Sequence, residues 1–138
     1  MATLEVSASL PASPEAVWEI IGDFAALADW HPLVPNCRPA ADGQGRIISL
    51  PGFEVVETLI PGASPPLGHT YTVGATPMPI TDYQATLRLE ATESGSRIVY
   101  QGQFTPVGVS AARASGMLQG FFEAGFAALQ TRLDRSEP

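Results

Sequence analysis

One stretch of this chain carries a sustained helical period, and it comes last. From Ser110 to about Arg135, the residues Ala114, Met117, Leu118, Phe121, Phe122, Phe126, Leu129 and Leu133 recur at steps of three and four. That is the spacing of one apolar helix face. Gln119, Glu123, Gln130 and Arg132 fall largely between them. Gly116, Gly120 and Gly125 sit inside the same pattern, and each costs a helix interior roughly 1 kcal/mol relative to Ala. A helix that keeps them needs strong tertiary support, or its backbone lies close to something. Close contact in a homodimer and room for a ligand both fit. Ahead of it, from Asn36 to Thr105, the chain reads as strand after strand. The pattern therefore predicts one long terminal helix laid across a curved sheet, with function in the space between them.

In chain order, Thr3 to Leu10 alternates cleanly, with Leu4, Val6, Ala8 and Leu10 on one face, as a half-buried strand does. Pro11 ends it. Ser13–Pro14–Glu15 is a helix start, with Ser as cap, Pro at the first helical position and an acid in the first turn. Val17, Trp18, Ile20, Ile21, Phe24 and Leu27 follow, with a break expected near Gly22 and Phe24. Ala25 to Trp30 reads as a second short helix, stopped by Pro32 and Pro35. Strands are then expected at Asn36–Ala41, Arg46–Leu50, Phe53–Ile60, His69–Gly74, Asp82–Ala91 and Arg97–Thr105. Between them lie the turns Asp42–Gly45, Pro51–Gly52 and Glu93–Ser96, the loop 61–68 and the interruption Pro77–Met78–Pro79, all rich in turn residues. The prediction is an α+β chain of about seven strands, two short helices after the first strand and one long helix at the end. With no internal repeat and no linker, residues 1–138 read as a single domain.

Composition narrows the partners. A formal charge of -7, with only seven basic residues and no run of them, argues against nucleic acid and anionic membrane surfaces, which reward clustered Lys and Arg. Cys37 is alone, so an intramolecular disulfide and a cysteine-built metal site are excluded. No signal peptide pattern opens the chain, and no stretch approaches 18 uninterrupted apolar residues. A cytoplasmic protein that inserts into no membrane is the expectation. His31 and His69 are the only imidazoles, and neither belongs to a metal-binding spacing. No Gly-rich phosphate loop follows a strand and no Gly-x-Ser-x-Gly elbow is present. No metal and no cofactor are expected.

The order and spacing of several segments make the chain similar to a known group. They are Ser13–Pro14–Glu15–Ala16–Val17–Trp18 with Asp23–Phe24, Trp30–His31–Pro32, Gly45–Arg46–Ile47–Ile48–Ser49–Leu50 and Glu57–Thr58–Leu59. Tyr71–Thr72–Val73, Pro79–Ile80–Thr81–Asp82–Tyr83–Gln84–Ala85 and Phe104–Thr105–Pro106 complete the set. Together they resemble the polyketide cyclase/dehydrase-like family of the START / Bet v 1-like (SRPBCC) superfamily, which also contains the plant abscisic-acid receptors. The resemblance implies a helix-grip fold, its sheet wrapped around the C-terminal helix, with a deep cavity that holds a hydrophobic or amphipathic small molecule. It places Glu57, Tyr71 and Tyr83 on the ligand side. It also makes Pro51–Gly52 and Thr76–Pro77–Met78–Pro79 counterparts of the loops that close over the receptors' ligand. The first of those loops is shorter here and lacks the receptors' Ser-Gly-Leu-Pro sequence.

Alternation sorts the strand residues by face. Tyr83, Ala85, Leu87 and Leu89 must face in, because their alternative is Asp82, Gln84, Thr86, Arg88 and Glu90. By the same parity Arg46 joins Ile48 and Leu50, Glu57 joins Val55, and His69 joins Tyr71. An inward Arg46 and Glu57 must be paired. They form either a salt bridge that steadies the sheet or a polar anchor for a ligand hydroxyl or carboxylate. His69 is the better candidate for a general base, and His31 reads as a helix-end residue near the cavity mouth. Tyr71 and Tyr83 could orient a ligand, whereas the parity of Tyr100 is undetermined. Phe121, with Phe122, Met117 and Phe126, would wall the cavity. The candidate ligand-binding set is thus Arg46, Glu57, His69, Tyr71, Tyr83 and Phe121, with no catalytic residue assigned. The reading that results is a carrier or sensor for a hydrophobic small molecule. An aromatase/cyclase-like enzyme comes second, with proton transfer by Glu57, Arg46, His69 or a Tyr. A module whose cavity is filled by its own side chains comes third.

Overall fold

The computed structural model describes residues 1–136; Glu137 and Pro138, included in the single-domain reading, lie outside the described residues. The elements run β1 (Ala2–Leu10), α1 (Pro14–Ile21), a 3-10 helix (Phe24–Asp29), β2 (Asn36–Pro39), β3 (Gly45–Leu50) and β4 (Phe53–Leu59). Then come β5 (Gly68–Val73), β6 (Ile80–Thr92), β7 (Gly95–Pro106) and α2 (Ala111–Ser136). The strands form one antiparallel seven-stranded sheet in the order β1-β7-β6-β5-β4-β3-β2. With α2 against the sheet, this is the helix-grip arrangement the sequence pattern predicts.

The local signals act as their chemistry requires. Ser13 Oγ accepts from the Ala16 N–H at 3.2 Å, and Pro14 occupies the first helical position, where its missing N–H costs nothing. At Gly22 a Cβ would stand 2.6 Å from the Trp18 carbonyl oxygen, so only glycine lets α1 close there. Asp23 then caps the next element, its Oδ1 accepting from Ala25 N–H at 3.1 Å. That element is a kinked 3-10 helix, with Ala26 at φ -100, ψ 27.

Several strands start earlier than expected, β6 and β7 by two residues each, β7 at Gly95 inside the expected turn Glu93–Ser96. β6 begins at Ile80 rather than Asp82, because a bulge between Thr81 and Gln84 places Asp82 at φ 51 and lets pairing with β7 continue past it. Bulges bend a strand, and this one lies beside the loop that precedes β6. Beyond it Tyr83, Ala85, Leu87 and Leu89 are all buried, as alternation requires.

Ala114, Leu118, Phe122, Phe126, Leu129 and Leu133 form the buried ridge of α2, at steps of four with one step of three, the spacing of one helix face. Met117, expected on the cavity wall, is instead 43% exposed. It stands about a quarter-turn off that ridge, on the solvent side, at the 3.6-residue helical period. The glycines separate as well. A Cβ on Gly116 or Gly120 would meet nothing within 4 Å, while one on Gly125 would stand 2.6 Å from His31 Cδ2. Gly125 is therefore where the chain crosses α2. No described helix is long and apolar enough to cross a membrane.

Candidate functional site

The sheet and the first half of α2 do not close completely on each other. A cavity of about 230 Å³ remains between them. Its sheet side carries Arg46, Glu57, Tyr71 and Tyr83, and α2 contributes Leu118, Phe121 and Phe122. Met78 and Pro77 from the loop before β6, with Leu33 and Val34 from the stretch after the 3-10 helix, bound the rest. Of the two loops likened to those of the plant receptors, only Thr76–Met78 reaches the cavity lining; Pro51 and Gly52 do not, though Leu50 does. Two larger hollows, of about 480 and 510 Å³, are lined in good part by polar side chains such as Thr3, Gln84 and Gln103. They are open polar grooves with no buried charge, so the smaller, mostly apolar cavity is the better candidate site.

Arg46 and Glu57 are directly opposite each other in the β3–β4 register, the closest placement a sheet offers two side chains. Arg46 Nε donates to Glu57 Oε1 at 2.7 Å, and Arg46 Nη2 reaches the same oxygen at 2.6 Å. Arg46 Nη1 donates to the Phe24 carbonyl oxygen at 2.9 Å. The guanidinium carbon stands 3.9 Å from the Phe24 ring centroid and 5.1 Å from that of Tyr71, within cation–π range. Both charged residues are buried, at 7% and 8% exposure. This is the cross-strand salt bridge that strand parity demands, and it also lines the cavity. It ties the sheet to the 3-10 helix through Phe24, a contact that no spacing in the sequence announces.

Tyr71 and Tyr83 face the same space. Burial pushes the Tyr71 hydroxyl well above the ordinary tyrosine range, with the Glu57 charge adding to it. Tyr83 is raised chiefly by burial too, and its hydroxyl bonds that of Tyr100. Tyr100 is the residue whose parity the sequence leaves open, since Ile98, Val99 and Tyr100 form one apolar run. It points inward and stacks on Phe122 with ring centroids 3.7 Å apart and an interplanar angle of 15°. A Cβ on Gly102 would collide with the Tyr100 hydroxyl, so that glycine makes room for the phenol pair. The one signal in the sequence is Gly102 two residues after Tyr100, on the same strand face.

The two histidines stand elsewhere. His69 faces inward, as parity predicts, but lies outside the cavity lining. It sits between Trp18 at 4.9 Å and Phe24 at 5.1 Å between ring centroids. Its Nε2 has no hydrogen-bond partner, and burial lowers its pKa. Of the candidate set, the structure thus brings Arg46, Glu57, Tyr71, Tyr83 and Phe121 together and leaves His69 apart. His31, expected near the mouth, is 1% exposed. Its Nε2 donates to the Phe121 carbonyl oxygen at 2.9 Å, while Nδ1 accepts from Leu33 N–H at 3.2 Å. Burial pushes its pKa down to about 4, against the Phe121 carbonyl bond, which raises it. The neutral ring is a latch across α2, seated where Gly125 leaves space. Among the described residues no group of His, Cys, Asp and Glu is gathered closely enough to hold a metal ion.

Known proteins share this architecture. A family model described as polyketide cyclase / dehydrase and lipid transport matches residues 1–134. Among solved structures, the protein XoxI of Bacillus cereus is 34% identical with a TM-score of 0.85, the match covering 96% of each chain. A START superfamily protein from Mycobacterium smegmatis shares the fold at 14% identity and a TM-score of 0.75, covering 98% of this chain and 99% of that one. The di-domain ARO/CYC BexL of the BE-7585A biosynthetic pathway does so at 12% identity and a TM-score of 0.79, covering 97% of this chain and 47% of its own. No curated protein matches the chain.

Proposed function

The chain belongs to the polyketide cyclase / dehydrase and lipid transport family, and from that premise we propose that it binds a hydrophobic or amphipathic small molecule between the sheet and α2, as a carrier or sensor. One observation carries the reading: the cavity of about 230 Å³, apolar except for a buried ion pair, two phenols and Thr76. Few polar groups in apolar walls orient a guest without competing with water for it. Turnover has weaker support. The imidazole favoured as a base, His69, lies outside the cavity lining, and Glu57 is held by Arg46. The phenols of Tyr71 and Tyr83 hold their protons tightly, a poor match to acid–base work near neutral pH.

Native mass spectrometry of the purified protein, before and after incubation with small aromatic compounds, tests the proposal. The expected result is one saturable adduct per chain, lost in Val73→Trp, which fills the cavity from β5. An adduct that survives Val73→Trp unchanged places the binding elsewhere and sinks the reading.

A further inference from the structure

The same cavity also carries information about which molecules fit it, in its size and in the way its charges are used. An apolar cavity of about 150 Å³ accepts a benzene-sized guest, and sites for drug-sized ligands begin at roughly 300 Å³. At about 230 Å³ this one suits a substituted single ring or a fused pair. A lipid tail or an extended polyketide chain exceeds it. Tyr71, Phe121 and Phe122 supply aromatic walls, which favour a flat guest.

The lining holds one cation and one anion, Arg46 and Glu57, so its formal charge is zero before any ligand enters. Arg46 is heavily committed. Nε and Nη2 are on Glu57 Oε1, and Nη1 is on the Phe24 carbonyl. A ligand carboxylate would set a second anion beside Glu57, with no further cation to meet it, and an unpaired buried charge is strongly disfavoured. Both Arg46 bonds fall on Glu57 Oε1. A carboxylate has about four acceptor sites, so Glu57 keeps acceptor capacity on Oε2 beyond these two contacts. A carboxylate oxygen is matched by a donor, and charge-assisted bonds of that kind are the strong ones.

Resting on the reading of this cavity as a ligand site, we infer that it selects a compact, uncharged ring compound bearing a hydroxyl or N–H donor, and that it rejects carboxylates and long acyl chains. Glu57 Oε2 takes the donor, and Arg46 acts as the internal counter-ion of Glu57. The anchoring of a ligand carboxylate, one of the roles open to the pair from sequence, is thereby assigned against.

Titration calorimetry at pH 7 with four probes tests this: 2-naphthol, 2-methoxynaphthalene, 2-naphthoate and palmitate. 2-Naphthol is expected to bind one per chain, and 2-methoxynaphthalene, which lacks the donor, about ten-fold or more weaker for the loss of a hydrogen bond to a charged group. 2-Naphthoate and palmitate are expected to show no saturable binding. In Glu57→Gln, which frees Arg46 from its counter-ion, the preference of 2-naphthol over 2-naphthoate should shrink or invert. Circular dichroism checks that this variant is folded; if it is not, the probe ranking on the unaltered protein decides by itself. Equal binding of the methoxy compound overturns the donor assignment. Binding of 2-naphthoate or palmitate as tight as that of 2-naphthol overturns the selection while leaving a ligand-binding cavity in place. Failure of all four to bind overturns this inference and the proposed function together.

Discussion

The two halves of α2 meet the same sheet in different ways. In the second half Phe126, Leu129 and Leu133 are buried at 2%, 0% and 7% exposure. There α2 runs along β1, and Gln130 Nε2 donates to the Ser9 carbonyl oxygen at 2.9 Å. In the first half Leu118 and Phe122 border empty space, Phe121 is half-buried and Met117 faces solvent. The His31 bond to the Phe121 carbonyl and the Gly125 crossing fall at the boundary. A close-packed end holds the helix so that the other end can stay unfilled, which matters because an unfilled cavity forfeits dispersion contacts around its wall. Stability and binding are in this way assigned to different turns of one helix.

The contrast breaks most visibly if large side chains are removed from each half. Phe126→Ala should cost about 3–5 kcal/mol, as deletions of fully packed aromatics do. Phe121→Ala, at a wall already bordering open space, should cost less than about half of that. Urea unfolding of both variants measures the difference, and equal losses would mean that the two halves are packed alike.

Acidification addresses the latch between them. His31 has a folded pKa of about 4 against an ordinary histidine value of 6.5, so the unfolded chain binds the proton more readily than the folded one. Its contribution to stability is whole above about pH 6.5, declines as the pH falls, and is lost below about pH 4. The shift corresponds to roughly 3–4 kcal/mol. His69, also lowered by burial, acts in the same direction. His31→Gln should flatten the pH dependence of stability between pH 6.5 and 4 relative to the unaltered protein; parallel profiles would show that the imidazole bears no such role.

The smallest effect sharpens the boundary. Gly125→Ala puts a methyl group against His31 and Trp30 and should cost about 1–3 kcal/mol, as overpacking does. Gly120→Ala enters open space and should raise stability by up to about 1 kcal/mol from helix propensity alone. Thermal melts of the two variants should therefore move in opposite directions. A shift of the same sign in both would remove Gly125 as the crossing point.

Much of this arrangement is legible in the amino-acid sequence. Alternation along β6 separates Tyr83, Ala85, Leu87 and Leu89 from their polar neighbours because strand side chains point to opposite faces residue by residue. The same rule turns Arg46 and Glu57 inward, and burial then requires that they be paired. It fails at Tyr100, because Ile98, Val99 and Tyr100 are all buried and an unbroken apolar run has no parity to read. At His69 parity identifies the face correctly, but a face is not a position along the cavity. The ring lies between Trp18 and Phe24, which come from elements distant in sequence. His31 shows the same limit, since its partners Phe121 and Gly125 are some ninety residues away.

The sequence by itself determined the faces, the caps, the turns and the helix-grip order of the elements, since these follow from backbone periods and from residues close together in the chain. The tertiary structure alone decided that Arg46 would also be tied to the Phe24 carbonyl, that Gly125 would receive His31, and that space would remain above Tyr71. Each of these depends on how closely two surfaces from remote parts of the chain approach, and packing at that scale is a property of the assembled pair of surfaces, which no local pattern encodes.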